Sequence, residues 1–214
     1  MTEARIRVDF IADLSCPWCY VAWRALDRAA TAMPAVAVDR VWAPFLLRPD
    51  TPPFGIDRRQ YLAKIFEGAP ERARASRDAL VRAADDAGAD LDLDAALVLP
   101  ATLDAHRLIH WAGGQGRMSA AVDALFVAYH VQGRNIGDHD ELREIAMGIG
   151  LDPGVVGDLL RTEADWNLIA DAHNGAVEAG IRGVPVTLFN GRFARQGAET
   201  VATYARLLDA ALGD

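Results

Sequence analysis

The hydrophobic pattern at the start of the chain predicts a βαβ unit. Arg5–Ala12 alternates polar and apolar residues before becoming apolar, as a strand entering a core does. A helical stripe follows from Val21 to Ala29, and Pro34 stops that helix. A second alternating apolar run covers Val36–Leu47. Two strands joined in this way by a helix and short connections run parallel, with a right-handed crossover.

The middle of the chain shows a different pattern. Arg48–Phe54 contains three prolines and is followed by Gly55, which marks a boundary. From Asp57 to about Arg161 only helical periodicity is visible, in the stretches Tyr61–Glu67, Arg72–Ala87, Leu103–Trp111, Met118–Val131, Asp140–Gly148 and Val155–Arg161. This block predicts an all-α subdomain over residues 51–162.

The last part of the chain returns to mixed structure. Its predicted elements are a helix (Glu163–Gly180), two strands (Val184–Phe189 and Phe193–Gln196) and a closing helix (Glu199–Leu212). Asn190-Gly191 between the strands is the strongest short hairpin signal, because both central residues of a type I′ turn need positive φ. Without the central helices the order is βαβαββα. The sequence therefore predicts an α/β sheet domain from residues 1–50 and 163–214, with the helical subdomain inserted between its halves.

Composition and charge exclude several classes of function. The chain of 214 residues carries a formal net charge of −8, which repels nucleic acid and anionic lipid surfaces. The N-terminus lacks the apolar run of about 7 to 15 residues that a secretory signal needs, and charges or glycines interrupt every window of membrane-spanning length. We therefore expect a cytoplasmic protein without nucleic acid or membrane partners, in a compartment where structural disulfides are rare.

The two cysteines of the chain lie three residues apart, in the run Cys16-Pro17-Trp18-Cys19. Placed at random, two cysteines would show this spacing in roughly one case in a hundred, so accident is a poor explanation. The motif stands where the first predicted strand passes into the first helix, so Cys16 meets free backbone N–H groups and the positive end of the helix dipole. Both stabilise a thiolate, the nucleophile of disulfide exchange. Pro17 suits the first helical turn, and Cys19, one turn further on, is placed to resolve a mixed disulfide.

Two other roles for these residue types are weaker. Buried free cysteines often act as small hydrophobic residues, but a pair enclosing proline and tryptophan at a strand-to-helix turn disfavours that role. A zinc site needs four protein ligands, or three and a water, and the five histidines lie far from the cysteines in sequence. His106 and His110 share a helix face, which surface or packing roles explain better than a metal. We predict no metal site.

The chain resembles a known family at the cysteines and along most of its length. Cys16-Pro17-Trp18-Cys19-Tyr20 is similar to the active site of the DsbA superfamily, in particular its FrnE-like branch, which is related to 2-hydroxychromene-2-carboxylate isomerase and kappa-class glutathione transferase. Further similar runs are Pro44–Asp50, Ala105–Leu108, Gln115–Arg117, Ala124–Tyr129 and Gly180–Pro185. The resemblance implies a thioredoxin-like α/β fold with a large inserted all-α subdomain, as in DsbA.

After the cysteines, Gly183-Val184-Pro185 is the most telling part of this resemblance. Without the resemblance, Pro185 would be interpreted as a proline at the start of a strand with a trans bond before it, since only about 5 to 6% of X-Pro bonds in folded proteins are cis. In thioredoxin-like proteins the proline bond at this position is cis, so the resemblance implies a cis Val184–Pro185 bond. Pro185 would then lie opposite Cys16 and leave the backbone of Val184 free to pair with an extended substrate.

Motif and resemblance together predict a thiol-disulfide oxidoreductase. Cys16 and Cys19 are the expected catalytic residues, as nucleophile and resolving cysteine, and Pro17, Trp18, Val184 and Pro185 are the expected substrate-binding residues. No cofactor is expected beyond the redox-active disulfide, with glutathione as a candidate co-substrate. The expected partners are a thiol- or disulfide-containing protein or small molecule, and the thioredoxin or glutathione system. Because Pro17-Trp18 lacks the histidine of periplasmic DsbA, the resemblance implies a milder oxidant.

Two further functions stay open at this point. One is a glutathione-dependent isomerase or kappa-type transferase, but the resemblance implies serine in those relatives where Cys16 stands. The other is a chaperone or binding module: the intact cysteine pair disfavours a redox-inactive one, whereas a redox-linked chaperone stays open because oxidoreductases of this fold often bind unfolded chains as well. Trp18 is interpreted as part of an apolar rim around the sulfurs and Phe45 as core packing. For Asp9 and Asp13, near the end of the first strand, a surface or helix-capping role is favoured over a role as the acid that moves the proton of Cys19.

Overall fold

The computed structural model describes residues 4–213, and within that range the chain forms six strands and nine helices. The strands are β1 (Ala4–Ala12), β2 (Val36–Pro44), β3 (Ile56–Asp57), β4 (Val98–Leu99), β5 (Val186–Phe189) and β6 (Phe193–Gln196). The helices are α1 (Pro17–Thr31), α2 (Arg58–Ile65), α3 (Pro70–Ala87), α4 (Leu103–Gly113), α5 (Met118–His130), α6 (His139–Gly148), α7 (Pro153–Leu160), α8 (Trp166–Glu178) and α9 (Val201–Leu212). Every described helix is too short or too polar to cross a membrane.

Four strands form the main sheet, in the order β2-β1-β5-β6. β1 and β2 are parallel and joined through α1, which is the predicted βαβ unit, whereas β5 pairs antiparallel with both β1 and β6. β1 is central, and its side chains Ile6, Val8 and Phe10 are completely buried. The predicted α/β class with a mixed four-stranded sheet is confirmed.

The hairpin between β5 and β6 turns at Asn190-Gly191. Both residues have positive φ, 49° and 67°, as the Asn-Gly signal predicts. The Asn190 side chain accepts from the Arg7 backbone N–H at 2.9 Å and donates to the Ala211 carbonyl at 3.0 Å. The turn therefore ties the hairpin to β1 and to the end of α9.

The middle of the chain is not purely helical. β3 and β4 form a separate two-stranded antiparallel ladder between the predicted helices. The prediction of only helices here was wrong in this detail, because two residues are too few to show a period. Gly55 precedes β3 with φ 77°, and a Cβ there would lie 2.4 Å from a Val98 methyl carbon. Only glycine permits so close an approach.

The strands of the main sheet lie within residues 4–44 and 186–196, and α2 to α7 lie between them. The division into a sheet domain (1–50 and 163–214) and an insertion (51–162) stays a prediction, and residues 1–3 and 214 of it lie outside the described residues. An aromatic cluster connects the main sheet to α5: the ring centres of Phe10 and Trp23 lie 5.3 Å apart, and those of Trp42 and Phe126 lie 5.9 Å apart.

Candidate active site

The cysteine motif begins where β1 ends and α1 starts. Cys16 is the N-cap residue of α1, with extended backbone (φ −89°, ψ 113°) and Pro17 in the first helical turn. Its carbonyl accepts the backbone N–H of Cys19 at 3.0 Å and of Tyr20 at 3.3 Å. No side chain caps the start of the helix, and the backbone N–H groups of Cys19 and Trp18 interact with the Cys16 sulfur. Both cysteines are free thiols.

The two sulfurs have opposite electrostatic environments. Burial leaves Cys16 7% exposed and Cys19 0% exposed. The pKa of Cys16 is lowered, first because the Cys19 thiol donates a hydrogen bond to it; backbone N–H groups of Cys19 and Trp18 add to this effect, whereas burial opposes it. The pKa of Cys19 is raised well above its ordinary value, first by burial and then by its bond to Cys16. Cys16 is therefore the sulfur that ionises first.

The sequence-predicted site residues are brought together around Cys16. The Cys16 thiol lies 3.9 Å from the Val184 carbonyl oxygen, and the Val184–Pro185 bond is cis, as the resemblance implies. Pro185 is buried, while Pro17 and Trp18 are half-buried and line the space beside the motif. The backbone of Val184 therefore lies next to the sulfur of Cys16.

Asp13 organises the loop that carries Cys16. It is 1% exposed, so a surface role is excluded. One carboxylate oxygen accepts the Ser15 backbone N–H and hydroxyl, both at 2.8 Å, and the other accepts the Leu47 backbone N–H at 2.7 Å. Asp13 thus connects the β1–α1 loop to the segment after β2. Its negative charge also opposes ionisation of both cysteines by raising the pKa of each.

Arg48 is a site residue to which the sequence analysis assigned no role. Its guanidinium donates to the Ser15 hydroxyl at 2.7 Å and to the Tyr61 hydroxyl at 3.2 Å. Its buried Nε has no hydrogen-bond partner among the described residues. Arg48 lines a cavity of about 140 Å³ that also contains Cys16 and Arg58. The run Pro44–Asp50 belongs to the family resemblance, and that was the one sequence signal available for this residue.

His130 also lines this cavity but cannot act as a cationic partner of the thiolate. Its Nε2–H donates to the Leu14 carbonyl at 2.9 Å, and its ring stacks on Tyr20. Burial lowers the pKa of His130 to about 3, so the ring is neutral at physiological pH. The Cys19 thiol and the backbone N–H groups at the helix start, rather than a histidine, therefore lower the pKa of Cys16.

Of the other histidines singled out by the sequence, His106 is buried and serves packing, whereas His110 is exposed. His106 accepts a hydrogen bond from the Trp42 indole at 3.0 Å, and burial lowers its pKa to about 4. The described part of the chain holds no group of three or more potential metal ligands. Phe45 is buried against Ile11 and Val186, which confirms its interpretation as core packing. A larger cavity, about 770 Å³ along β2, is lined by neither cysteine and is therefore not the site of thiol chemistry.

Fold and site together define a thioredoxin-like protein of the DsbA kind. The family profile "DSBA-like thioredoxin domain" matches residues 7–209. The chain belongs to this family, whose members are generally oxidoreductases. No curated protein matches the chain at the significance required.

Solved structures agree with this assignment. A probable DsbA oxidoreductase from Streptomyces coelicolor superposes with a TM-score of 0.84 at 27% identity, over 98% of this chain and 91% of that one. A 2-hydroxychromene-2-carboxylate isomerase superposes with a TM-score of 0.68 at 18% identity, over 97% of this chain and 94% of that one. The cytosolic disulfide reductase DsbM from Pseudomonas aeruginosa, in a structure with GSH, superposes with a TM-score of 0.66 at 18% identity, over 97% of this chain and 100% of that one. The last two likenesses show the fold alone.

The pKa shifts predict how the cysteines react with iodoacetamide. Limiting reagent should modify Cys16 first, because a lowered pKa leaves more reactive thiolate at each pH. The pH at which the alkylation rate of Cys16 reaches half its maximum should lie below the ordinary cysteine pKa. Cys19 should stay unmodified over that range, since it is buried and its pKa is raised. Peptide mapping by mass spectrometry across a pH series measures both sites.

A Cys19→Ala variant is the matched control for this experiment. It removes the thiol that donates to Cys16, so the Cys16 midpoint should move to higher pH. Equal labelling of both cysteines in the wild-type protein, or a midpoint equal to that of the urea-unfolded chain, would contradict the assigned environments.

Proposed function

We propose that this chain is a thiol-disulfide oxidoreductase that exchanges disulfides through Cys16-Pro17-Trp18-Cys19, with Cys16 as nucleophile and Cys19 as resolving cysteine. The observation that carries the proposal is the contrast between the two sulfurs. Cys16 lies at the helix start with a lowered pKa, beside the Val184 carbonyl, while Cys19 lies completely buried with a raised pKa. Cys16 is therefore placed to attack the substrate, and Cys19 to resolve the mixed disulfide afterwards.

The exchange with a disulfide substrate balances in two steps. The Cys16 thiolate attacks one substrate sulfur, the substrate S–S bond breaks, and the departing thiolate takes a proton from solvent. Cys19 then loses its proton and attacks the Cys16 sulfur, which releases the second substrate thiolate and forms the Cys16–Cys19 disulfide. The protein has given two electrons to the substrate. A dithiol substrate meeting the oxidised protein runs the same steps in reverse.

The residues around Cys16 suggest how substrate is held during these steps. Val184, whose carbonyl lies beside the sulfur, offers backbone groups to an extended chain, Pro185 follows it through the cis bond, and Pro17 and Trp18 supply apolar surface. A protein or small molecule carrying a thiol or disulfide is the proposed substrate. We further propose action in the cytoplasm, with the thioredoxin or glutathione system returning the pair to its working redox state.

Redox equilibration tests the proposed function. In mixtures of reduced and oxidised glutathione, both thiols should disappear together and return together, as a single Cys16–Cys19 disulfide forms and opens. A reduction potential near that of thioredoxin, about −270 mV, would indicate a reductase. A reduction potential well above that of the cytosol would indicate an oxidant or isomerase. Thiols that stay free in every mixture, or that form only glutathione adducts, would contradict the proposal.

A glutathione-dependent isomerase or transferase is the second candidate, and the cavity beside Cys16 favours it. Arg48 and Arg58 both line that cavity, and neither forms an ion pair among the described residues. Guanidinium groups bind carboxylates well, and glutathione carries carboxylates. S-methylglutathione, which cannot exchange, should then slow alkylation of Cys16. Unchanged alkylation at saturating concentrations would remove this candidate.

A further inference from the structure

A groove lies beside the cysteine motif, between α2 and α3. Its volume is about 510 Å³, within the range of about 300 to 1,000 Å³ that is usual for ligand sites. Trp18 of the motif forms one wall. The other apolar lining residues are mainly Leu62, Ala63, Phe66, Leu80, Leu93 and Ala96.

The helix that forms one side of this groove is poorly packed. No residue of α2 is buried, and Ile65 is 43% exposed. Helices in proteins are usually held by burying an apolar face, because short helices are marginal by themselves. The apolar side chains Leu62 and Ala63 face the groove instead of a core. An apolar occupant would supply the packing that α2 lacks.

The groove is positively charged although the chain is acidic overall. Arg58, Arg59 and Arg77 line it, against one carboxylate, Asp94. Arg77 binds Asp94 through two hydrogen bonds of 3.1 and 2.6 Å, so that pair is neutralised. Arg58 donates to the Leu93 carbonyl, and neither Arg58 nor Arg59 forms an ion pair in the described part of the chain. Two guanidinium groups are thus left for an acidic partner.

The groove lies next to the cavity that contains the reactive sulfur. It shares Pro17, Arg58 and Leu62 with the cavity of about 140 Å³ that contains Cys16. That cavity by itself is smaller than usual ligand sites. Because the two spaces share these lining residues, the groove and the cavity that contains Cys16 are adjacent.

We propose that this groove binds the segment next to the reacting cysteine of a protein substrate, and that it selects an apolar residue accompanied by acidic residues. The inference rests on the proposed function, because it needs Cys16 to react with that cysteine. The apolar side chain would lie between α2, α3 and Trp18. The acidic side chains would pair with Arg58 and Arg59 at the edge.

Activated peptides test this selection. The reduced Cys19→Ser protein is mixed with synthetic peptides whose single cysteine forms a disulfide with thionitrobenzoate. The Cys16 thiolate attacks the peptide sulfur, the S–S bond breaks, and the coloured thionitrobenzoate anion leaves, so no other redox agent is needed. An apolar-acidic peptide should react about tenfold faster than an apolar-basic one at low ionic strength. The difference should shrink as salt is added, and a polar-acidic peptide should react more slowly than the apolar-acidic one.

Two further variants, each combined with Cys19→Ser, locate the effect. Arg59→Gln should reduce the preference for acidic peptides several-fold. Arg82→Gln, an exposed arginine of α3 that does not line the groove, should leave it unchanged. Equal rates for all peptides, a preference for basic peptides, or equal effects of the two substitutions would overturn the groove assignment while the proposed function stands. No release from any peptide would instead refute the proposed function itself.

Discussion

Replacing Cys16 with serine is expected to reduce disulfide exchange by about a thousandfold or more. A serine hydroxyl does not ionise near neutral pH, so the attacking anion is lost. Cys19 cannot take over, because it is 0% exposed and its pKa is raised well above the ordinary value. Turnover of a fluorescent disulfide-linked peptide in the presence of dithiothreitol measures the loss.

The Cys19→Ser variant should fail in a different way. It keeps the nucleophile but lacks the resolving thiol, so mixed disulfides between Cys16 and substrate should accumulate. Mass spectrometry of the non-reduced protein detects these adducts directly. Comparable adducts on Cys16→Ser, or full turnover by that variant, would show that the roles of the two cysteines are wrongly assigned.

Signals between residues close in sequence predicted much of the fold and the centre of the site. Asn190-Gly191 predicted the hairpin because its requirement for positive φ is local. Cys16-Pro17 predicted the helix start because the N-cap position and a first-turn proline are also local features. The cis bond at Val184–Pro185 came from the family resemblance, since the local sequence by itself favours a strand-start proline.

Contacts between residues distant in sequence could not be predicted. Asp13 lies next to the motif, but its bond to the Leu47 backbone depends on how the loop after β2 returns to β1. Arg48 reaches Ser15 and Tyr61 from a different segment again. Neither hydrophobic periodicity nor a sequence motif predicts such contacts, and the charge of Arg48 alone fits a surface residue equally well. The environment of the sulfur therefore became visible only in the folded chain.

Arg107 shows the same limit in the helical part of the molecule. The sequence places it in a run of family resemblance without a role, yet its side chain is completely buried. Its guanidinium donates to the carbonyls of Leu159, Thr162 and Ala164 at 2.7, 2.9 and 2.7 Å, and to the Asp104 carboxylate at 2.6 Å. One side chain of α4 thus donates hydrogen bonds to backbone carbonyls at the end of α7 and in the loop that leads into α8.

Arg107→Ala is expected to lower the free energy of unfolding by about 3 to 5 kcal/mol. The substitution leaves three carbonyls and a carboxylate without their buried donor, and it removes the guanidinium that lies 4.8 Å from the Trp111 ring centre. Urea unfolding followed by circular dichroism measures the change, provided the m-value is constant. Arg107→Lys should recover only part of the loss, because an ammonium lacks the planar fork that reaches several acceptors.

The matched control for Arg107→Ala is Arg161→Ala, at the end of α7. Arg161 pairs with Asp158, and the two side chains are 67% and 75% exposed, so this substitution should change the unfolding free energy by less than about 0.5 kcal/mol. Because α8 precedes the Val184–Pro185 segment that faces Cys16, the arginine of α4 secures the part of the chain that completes the site. A change below about 1 kcal/mol for Arg107→Ala would mean that water or neighbouring groups replace its hydrogen bonds, and that α8 is held by its other contacts.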